Sequence, residues 1–151
     1  MRHGESTWNA AGRLQHRNPA PPLTGLGRRQ AREAGESLRG TPVDLLLTSP
    51  ALRARQTAQI VADLLGLDVV VDDRLVEVDH DETVAEVRER LLAVLSEHHG
   101  ELLVISHGDT IALAVALLTG LPCELPHNAQ IHVTGTFEER RSAPANLDSP
   151  C

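Results

Sequence analysis

Short apolar runs alternate with longer stretches of helical spacing along this chain, and the alternation predicts its elements. Leu23 to Arg39 reads as a helix, with Thr24 as N-cap after Pro21-Pro22 and Gly40 with Pro42 closing it. Val43 to Thr48 is a short apolar run ending in Ser49-Pro50, which predicts a buried strand. A helix is expected over Ala51 to Leu65, ended by Gly66, and then a short β-branched strand at Val69-Val70-Val71. Val84, Val87, Leu91, Val94 and Leu95 place one apolar face on a helix from Thr83 to His98. Glu101 to Ser106 reads as a strand, Thr110 to Thr119 as an apolar helix, and Ile131 to Phe137 as a last strand. Strands alternating with helices predict an α/β sandwich with a mostly parallel sheet. One domain is expected over 1–137; Glu138 to Cys151, polar and rich in Pro, Ser and Ala, is expected to be a disordered tail.

Composition narrows the chemistry. The single Phe, single Trp and absent Tyr imply an aliphatic core. All 14 basic residues are Arg, which removes lysine Schiff bases, lysine general bases and the phosphate-loop lysine. A net charge of −7 argues against nucleic acid or an anionic membrane as partner, so a small anionic substrate needs a local basic pocket. Cys123 and Cys151 make no disulfide framework and have no metal-ligand spacing around them. With no signal peptide pattern and no apolar run near the ~20 residues of a membrane span, the expectation is a cytoplasmic enzyme domain.

Three separated stretches hold the candidate chemistry: Arg2-His3-Gly4-Glu5-Ser6, Ser49-Pro50-Ala51-Leu52-Arg53-Ala54 and Ser106-His107-Gly108. Arg53, Glu77 and His107 each fall just after a predicted strand, where open α/β sheets form their ligand sites. Arg2 and Arg53 offer planar, permanently charged forks for phosphoryl oxygens, and His107, if protonated, adds a third positive donor. His3 can act as a nucleophile if its attacking nitrogen is unprotonated while the other donates to a fixed acceptor. Glu77 can protonate the leaving oxygen and later activate water, although Asp79, His80 and Asp81 stand close enough to substitute. The arginines take the electrostatic role, so no metal or other cofactor is called for. Asp79-His80-Asp81-Glu82 is a candidate metal cluster, but consecutive residues project in different directions, and a solvated acidic loop is the expectation. Gly25-Leu26-Gly27 reads as a helix-start turn, and Gln30, Arg32 and Glu33 as a solvated helix face.

Over roughly residues 1 to 120 these motifs, in this order, resemble the histidine phosphatase superfamily, the phosphoglycerate mutase-like proteins. The resemblance rests on Arg2-His3-Gly4-Glu5-Ser6-Thr7-Trp8-Asn9, Gly12-Arg13-Leu14-Gln15, Pro22-Leu23-Thr24, Ser49-Pro50 through Arg53-Ala54-Arg55-Gln56-Thr57-Ala58, and Ser106-His107-Gly108. It implies a three-layer α/β/α sandwich, His3 as the phosphorylated residue, and Arg2, Asn9, Arg53 and His107 as phosphate contacts. It also implies Glu77 as proton donor. The family places Arg-His-Gly directly after a central strand; here only Met1 precedes Arg2, so the first strand is expected to be absent or supplied by something else. Between Glu77 and Thr83 the family's larger members insert a lid, and this chain passes almost directly to the next helix. A mutase must exclude water while its substrate reorients, so a phosphatase acting on a small phosphorylated metabolite is the expectation. The alternatives are a phosphohistidine protein phosphatase, for which an open pocket suits a phosphoprotein, and a non-catalytic phosphate-binding module. An exposed sheet edge would make a homodimer reasonable.

Overall fold

A computed structural model describes residues 1–134. Three parallel strands form the sheet: β1 (Leu45–Thr48), β2 (Val69–Val71) and β3 (Leu102–Ile105), in the order β2-β1-β3. The helices are α1 (Thr7–Ala10), α2 (Gly25–Ser37), α3 (Leu52–Leu65), α4 (Val84–Glu97) and α5 (Gly108–Thr119), with a 3-10 turn at Asp73–Leu75.

The period of two in the strands divides the core. Leu46 of β1 and Leu103 and Ile105 of β3 face Ala34 and Leu38 of α2 and Ala54, Ala58, Val61 and Ala62 of α3. Leu47 of β1 and Val104 of β3 point the other way, toward Val87, Leu91 and Val94 of α4 and Leu113 and Leu117 of α5. Leu46 and Leu47 are both fully buried, each contributing roughly 2 kcal/mol of apolar burial to opposite layers. The result is an α/β/α sandwich. Caps set the helix limits: Thr24 accepts from the amide of Gly27, Thr83 and Glu86 form a capping box, and Gly66 and Gly120 end α3 and α5 in the left-handed region.

The far edge of β3 is joined by residues 1–3. Ser106 N donates to Met1 O at 3.1 Å and His3 N to Ser106 O at 3.0 Å, a parallel bridge centred on Arg2. On the other side of this segment, Arg2 N donates to Gln130 O and Ala129 N to His3 O, both at 3.1 Å. The expected strand over Ile131 to Phe137 is corrected: residues 131–134 form none, because residues 129–130, with Ala129 at φ 60°, have taken the available edge. Residues 135–137 of that expectation, and the tail over 138–151, lie outside the described residues. No helix among the described residues is long and apolar enough to cross a membrane.

Candidate active site

Strand order delivers the three motifs to one place. Arg53 is the second residue of α3, just past the carboxyl end of β1; His107 is the N-cap of α5, just past β3; and residues 1–3 lie against β3. Gly4 is fixed by its amide, which donates to Thr57 Oγ1 at 3.1 Å, and Thr57 in turn donates to Arg53 O at 2.8 Å.

These contacts define the protonation of both imidazoles. His3 Nδ1 lies 2.7 Å from Gly4 O, which can only accept, so this nitrogen carries the proton. Its Nε2 then presents a lone pair, met by Arg53 Nε–H at 3.2 Å. Burial, and next the charges of Arg53 and Arg2, hold His3 at a pKa of about 3 against a rise from the Gly4 bond, so it is neutral at physiological pH. Arg53 Nη2 donates to His107 Nδ1 at 3.1 Å, which leaves the proton of His107 on Nε2, 2.7 Å from Ser49 Oγ. The conditional reading of His107 as a positive donor is therefore not met in this arrangement: burial first, then the neighbouring His3, Arg53 and Arg2, push its pKa well below the ordinary value. The two rings meet edge to face with centroids 5.2 Å apart.

Arg53 is 1% exposed. Besides the two imidazoles, its guanidinium donates to Asn18 O at 2.7 Å and His16 O at 3.2 Å. Burial lowers its pKa to about 10, which leaves it charged. Arg2 donates through Nη1 to Pro126 O at 2.7 Å, while its buried Nε has no partner among the described residues. Asn9 closes a capping box with Ser6; its Oδ1 accepts from Ser6 N at 3.1 Å and Asn128 Nδ2 at 3.3 Å, and its own Nδ2 takes no part in these bonds.

Glu77 reaches the same pocket, close enough that its charge raises the pKa of both Arg2 and Arg53. Its Oε1 accepts from Val78 N at 2.9 Å and Thr110 N at 3.1 Å and lies 3.0 Å from Thr110 Oγ1, so a proton on this carboxyl belongs on Oε2. Burial raises its pKa despite those bonds, the direction a general acid requires. The neighbouring acids are engaged elsewhere. Asp79 and Asp81 flank the exposed ring of His80, and Glu82 accepts from Arg17 and Arg90. The solvated acidic loop is thus corrected at Glu82, whose side chain is 13% exposed. No metal-binding cluster occurs among the described residues.

Sequence reasoning missed Thr110, Ser49, Asn128 and Arg17 as groups that hold the site. Only Ser49 carried a signal, as the head of the second motif. A cavity of about 690 Å³ between β3, α4, α5 and residues 131–134 contains none of Arg2, His3, Arg53, Glu77 or His107.

The profile of the histidine phosphatase superfamily (branch 1) matches residues 1–90, the stretch that carries Arg2-His3-Gly4 and Arg53. This chain belongs to that superfamily. It is 30% identical over 165 residues to the probable phosphoglycerate mutase GpmB of Yersinia enterocolitica serotype O:8 / biotype 1B, covering 84% of this chain and 75% of that one. Over 152 residues it is also 30% identical to the uncharacterized phosphatase PhoE of Bacillus subtilis (strain 168), covering 83% and 78%. Among solved structures it is similar to the mycobacterial glucosyl-3-phosphoglycerate phosphatase Rv2419c complexed with VO3. That match has a TM-score of 0.70 and 26% identity, and covers 85% of each chain. Both mutase and phosphatase names therefore stand among the chain's relatives.

Proposed function

We propose that this superfamily member is a metal-independent phosphatase that hydrolyses a small phosphomonoester through a phosphohistidine on His3. One observation carries the reading: the fixed tautomer of His3, with Nδ1–H on Gly4 O and an unprotonated Nε2 lone pair, met only by the Arg53 Nε–H, at neutral pH. Arg2, Arg53 and the amide of Asn9 would bind the peripheral oxygens, which compete with Nε2 for the Arg53 Nε–H. His3 Nε2 then forms a bond to phosphorus as the ester P–O bond breaks, and Glu77 passes its proton to the leaving oxygen. In the second step Glu77, now a carboxylate, takes a proton from water; the water oxygen bonds to phosphorus, the P–N bond breaks and inorganic phosphate leaves. A phosphate dianion beside His107 would favour its protonation, adding a donor when the charge arrives.

Support for hydrolysis over mutase activity comes from Val78–Thr83, which leads directly into α4 with no inserted lid to keep water from the phosphoenzyme. The test is turnover of p-nitrophenyl phosphate without added metal and with EDTA, comparing the natural chain with His3→Ala, and acid-labile trapping of the phosphoenzyme. Expected are EDTA-insensitive turnover, a phosphohistidine, and loss of both in His3→Ala. Phosphate binding by folded protein with no turnover would point to a binding module. Preference for a phosphohistidine protein over esters would point to a protein phosphatase.

A further inference from the structure

Glu77 lies in an irregular stretch just past the 3-10 turn, yet from Arg74 to Glu77 the backbone is tied at four successive carbonyls by side chains of other elements. Arg74 O accepts from Arg90 Nη1, Leu75 O from Ser106 Oγ at 2.7 Å, Val76 O from Thr110 Oγ1 at 2.9 Å, and Glu77 O from Arg17 Nε at 2.9 Å. Surface connections ordinarily leave such groups to water. Three of these donors stand on α4, on α5 or at the end of β3. The fourth, Arg17, comes from the loop before α2.

Arg17 has a second hold. Its Nη2 donates to Glu82 Oε2 at 2.7 Å, and Glu82 is gripped from α4 by Arg90, whose Nε meets Oε1 at 2.7 Å and whose Nη2 meets Oε2 at 3.1 Å. Those bonds, that from Arg90 first, hold the Glu82 carboxyl below its ordinary pKa, so the clasp is ionic at neutral pH. On either side of Arg17, the carbonyls of His16 and Asn18 accept from Arg53. His16 has φ 42°, a left-handed conformation that a non-glycine residue holds only when its surroundings impose it. One short loop thus grips the buried arginine through its backbone and the proton donor through its side chain.

We propose that Arg17, anchored by Glu82, is a positioning residue that sets Glu77 in register with the phosphoryl site, and so governs protonation of the leaving group. This rests on the phosphatase reading above. Arg53 is fully buried and keeps its bonds to Asn18 and both imidazoles, so loss of the clasp leaves phosphate binding in place and misplaces the acid. Substrates with poor leaving groups need that acid; activated aryl esters need it far less.

The test compares an alkyl phosphate, glycerol 2-phosphate, with p-nitrophenyl phosphate in the full chain and in Arg17→Met, Glu82→Gln and Arg17→Lys. In Arg17→Met, kcat on the alkyl ester is expected to fall about tenfold or more, a fraction of the whole general-acid contribution. Aryl turnover and the inhibition constant for inorganic phosphate are expected to stay within about threefold, the mark of a step-specific loss. Glu82→Gln should follow in weaker form. Arg17→Lys, one ammonium in place of a fork, should recover part of the loss. Carbon-detected NMR titration of the Glu77 carboxyl gives a readout without turnover: its raised pKa should move toward the ordinary carboxylate value in Arg17→Met as water reaches it. Equal losses on both esters and on phosphate binding, or no change in the ester ratio, would overturn the proposal. If the natural chain turns over neither ester, the phosphatase reading fails by itself, and an unmoved Glu77 titration would then reject the clasp.

Discussion

Substituting Gly27 by Ala tests how the first turn of α2 is seated on the signature motif. A Cβ at Gly27 would lie 2.0 Å from Glu5 O, 2.8 Å from Glu5 N and 2.9 Å from Glu5 C, and one at Gly4 would lie 2.3 Å from Gly27 O. All of these are backbone atoms, so no rotamer relieves the clash. A carbon–oxygen contact settles near 3.3 Å, so the two segments must part by about 1.3 Å. The joint they share includes Thr24 N donating to Glu5 O at 2.9 Å and Glu5 N donating to Gln30 Oε1 at 2.8 Å. Loosening two such bonds costs about 1 kcal/mol each, and the overpacking about 1–3 kcal/mol more. Alanine's helix propensity returns about 1 kcal/mol, leaving a net loss of about 2–4 kcal/mol. For a chain of this length that lowers Tm by roughly 4–16 °C. Because Gly4 follows His3 directly, a displacement near 1 Å also threatens the proposed nucleophile, with an expected loss of turnover of about 10²-fold. Gly25→Ala is the control: only the mobile Arg29 guanidinium stands near, at 3.9 Å, so this variant should be neutral or slightly stabilised. Thermal unfolding followed by circular dichroism, with p-nitrophenyl phosphate turnover alongside, decides it. Gly27→Ala as stable and active as Gly25→Ala would refute the reasoning.

Acid should destabilise the fold through its imidazoles: His3 titrates near 3 and His107 well below normal, whereas unfolded histidine takes up a proton near 6.5. The unfolded chain thus binds more protons between about 6.5 and 3, so this contribution is complete above that window and is lost as pH falls through it. Glu77, raised by burial, acts in the opposite sense; Tm measured from pH 7 to 4.5 should nonetheless fall, and a flat profile would contradict the neutral buried imidazoles. Ser49→Ala removes the acceptor of His107 Nε2–H and should lower stability by about 1–3 kcal/mol while weakening phosphate inhibition. Unchanged phosphate affinity in a destabilised Ser49→Ala would show that the His107 tautomer does not matter to the ligand.

Much of the site was legible because residue type limits what a side chain can do. A histidine beside two arginines, with no lysine in the chain, restricts the chemistry, and strand ends locate it. The layered fold was legible for the same kind of reason: Thr24, Thr83, Gly66 and Gly120 punctuate helices by capping chemistry that acts over three or four residues. Long-range pairing was not legible. Ile131 and Val133 have strand composition, but a strand needs a free partner edge, and Ala129 and Gln130 reach that edge first. Glu82 read as one more acid in a solvated run because nothing local reveals that Arg17 and Arg90 converge on it. Gln30 looked like helix surface for a similar reason, yet it accepts from the Glu5 amide. Gly27 looked like turn chemistry when its role is to let two backbones touch.

Arg53 has a consequence for the folded state itself. Its bonds go to neutral acceptors, two carbonyls and two imidazole nitrogens, and among the described residues no carboxylate lies within ion-pair distance of it. Neutral acceptors satisfy its protons but do not cancel its charge, and Arg2 adds a second, half-buried guanidinium whose buried Nε–H is unmet among the described residues. Two cations held this way repel each other in the fold that assembles them, and on the phosphatase reading proposed above a phosphate dianion would be the counterion that relieves them. Product and native state would therefore be linked thermodynamically. Each tenfold rise in free phosphate above its dissociation constant deepens the folded basin by about 1.4 kcal/mol. The anion that inhibits turnover would thereby protect the chain from unfolding and proteolysis, tying how long each molecule survives to the phosphate around it.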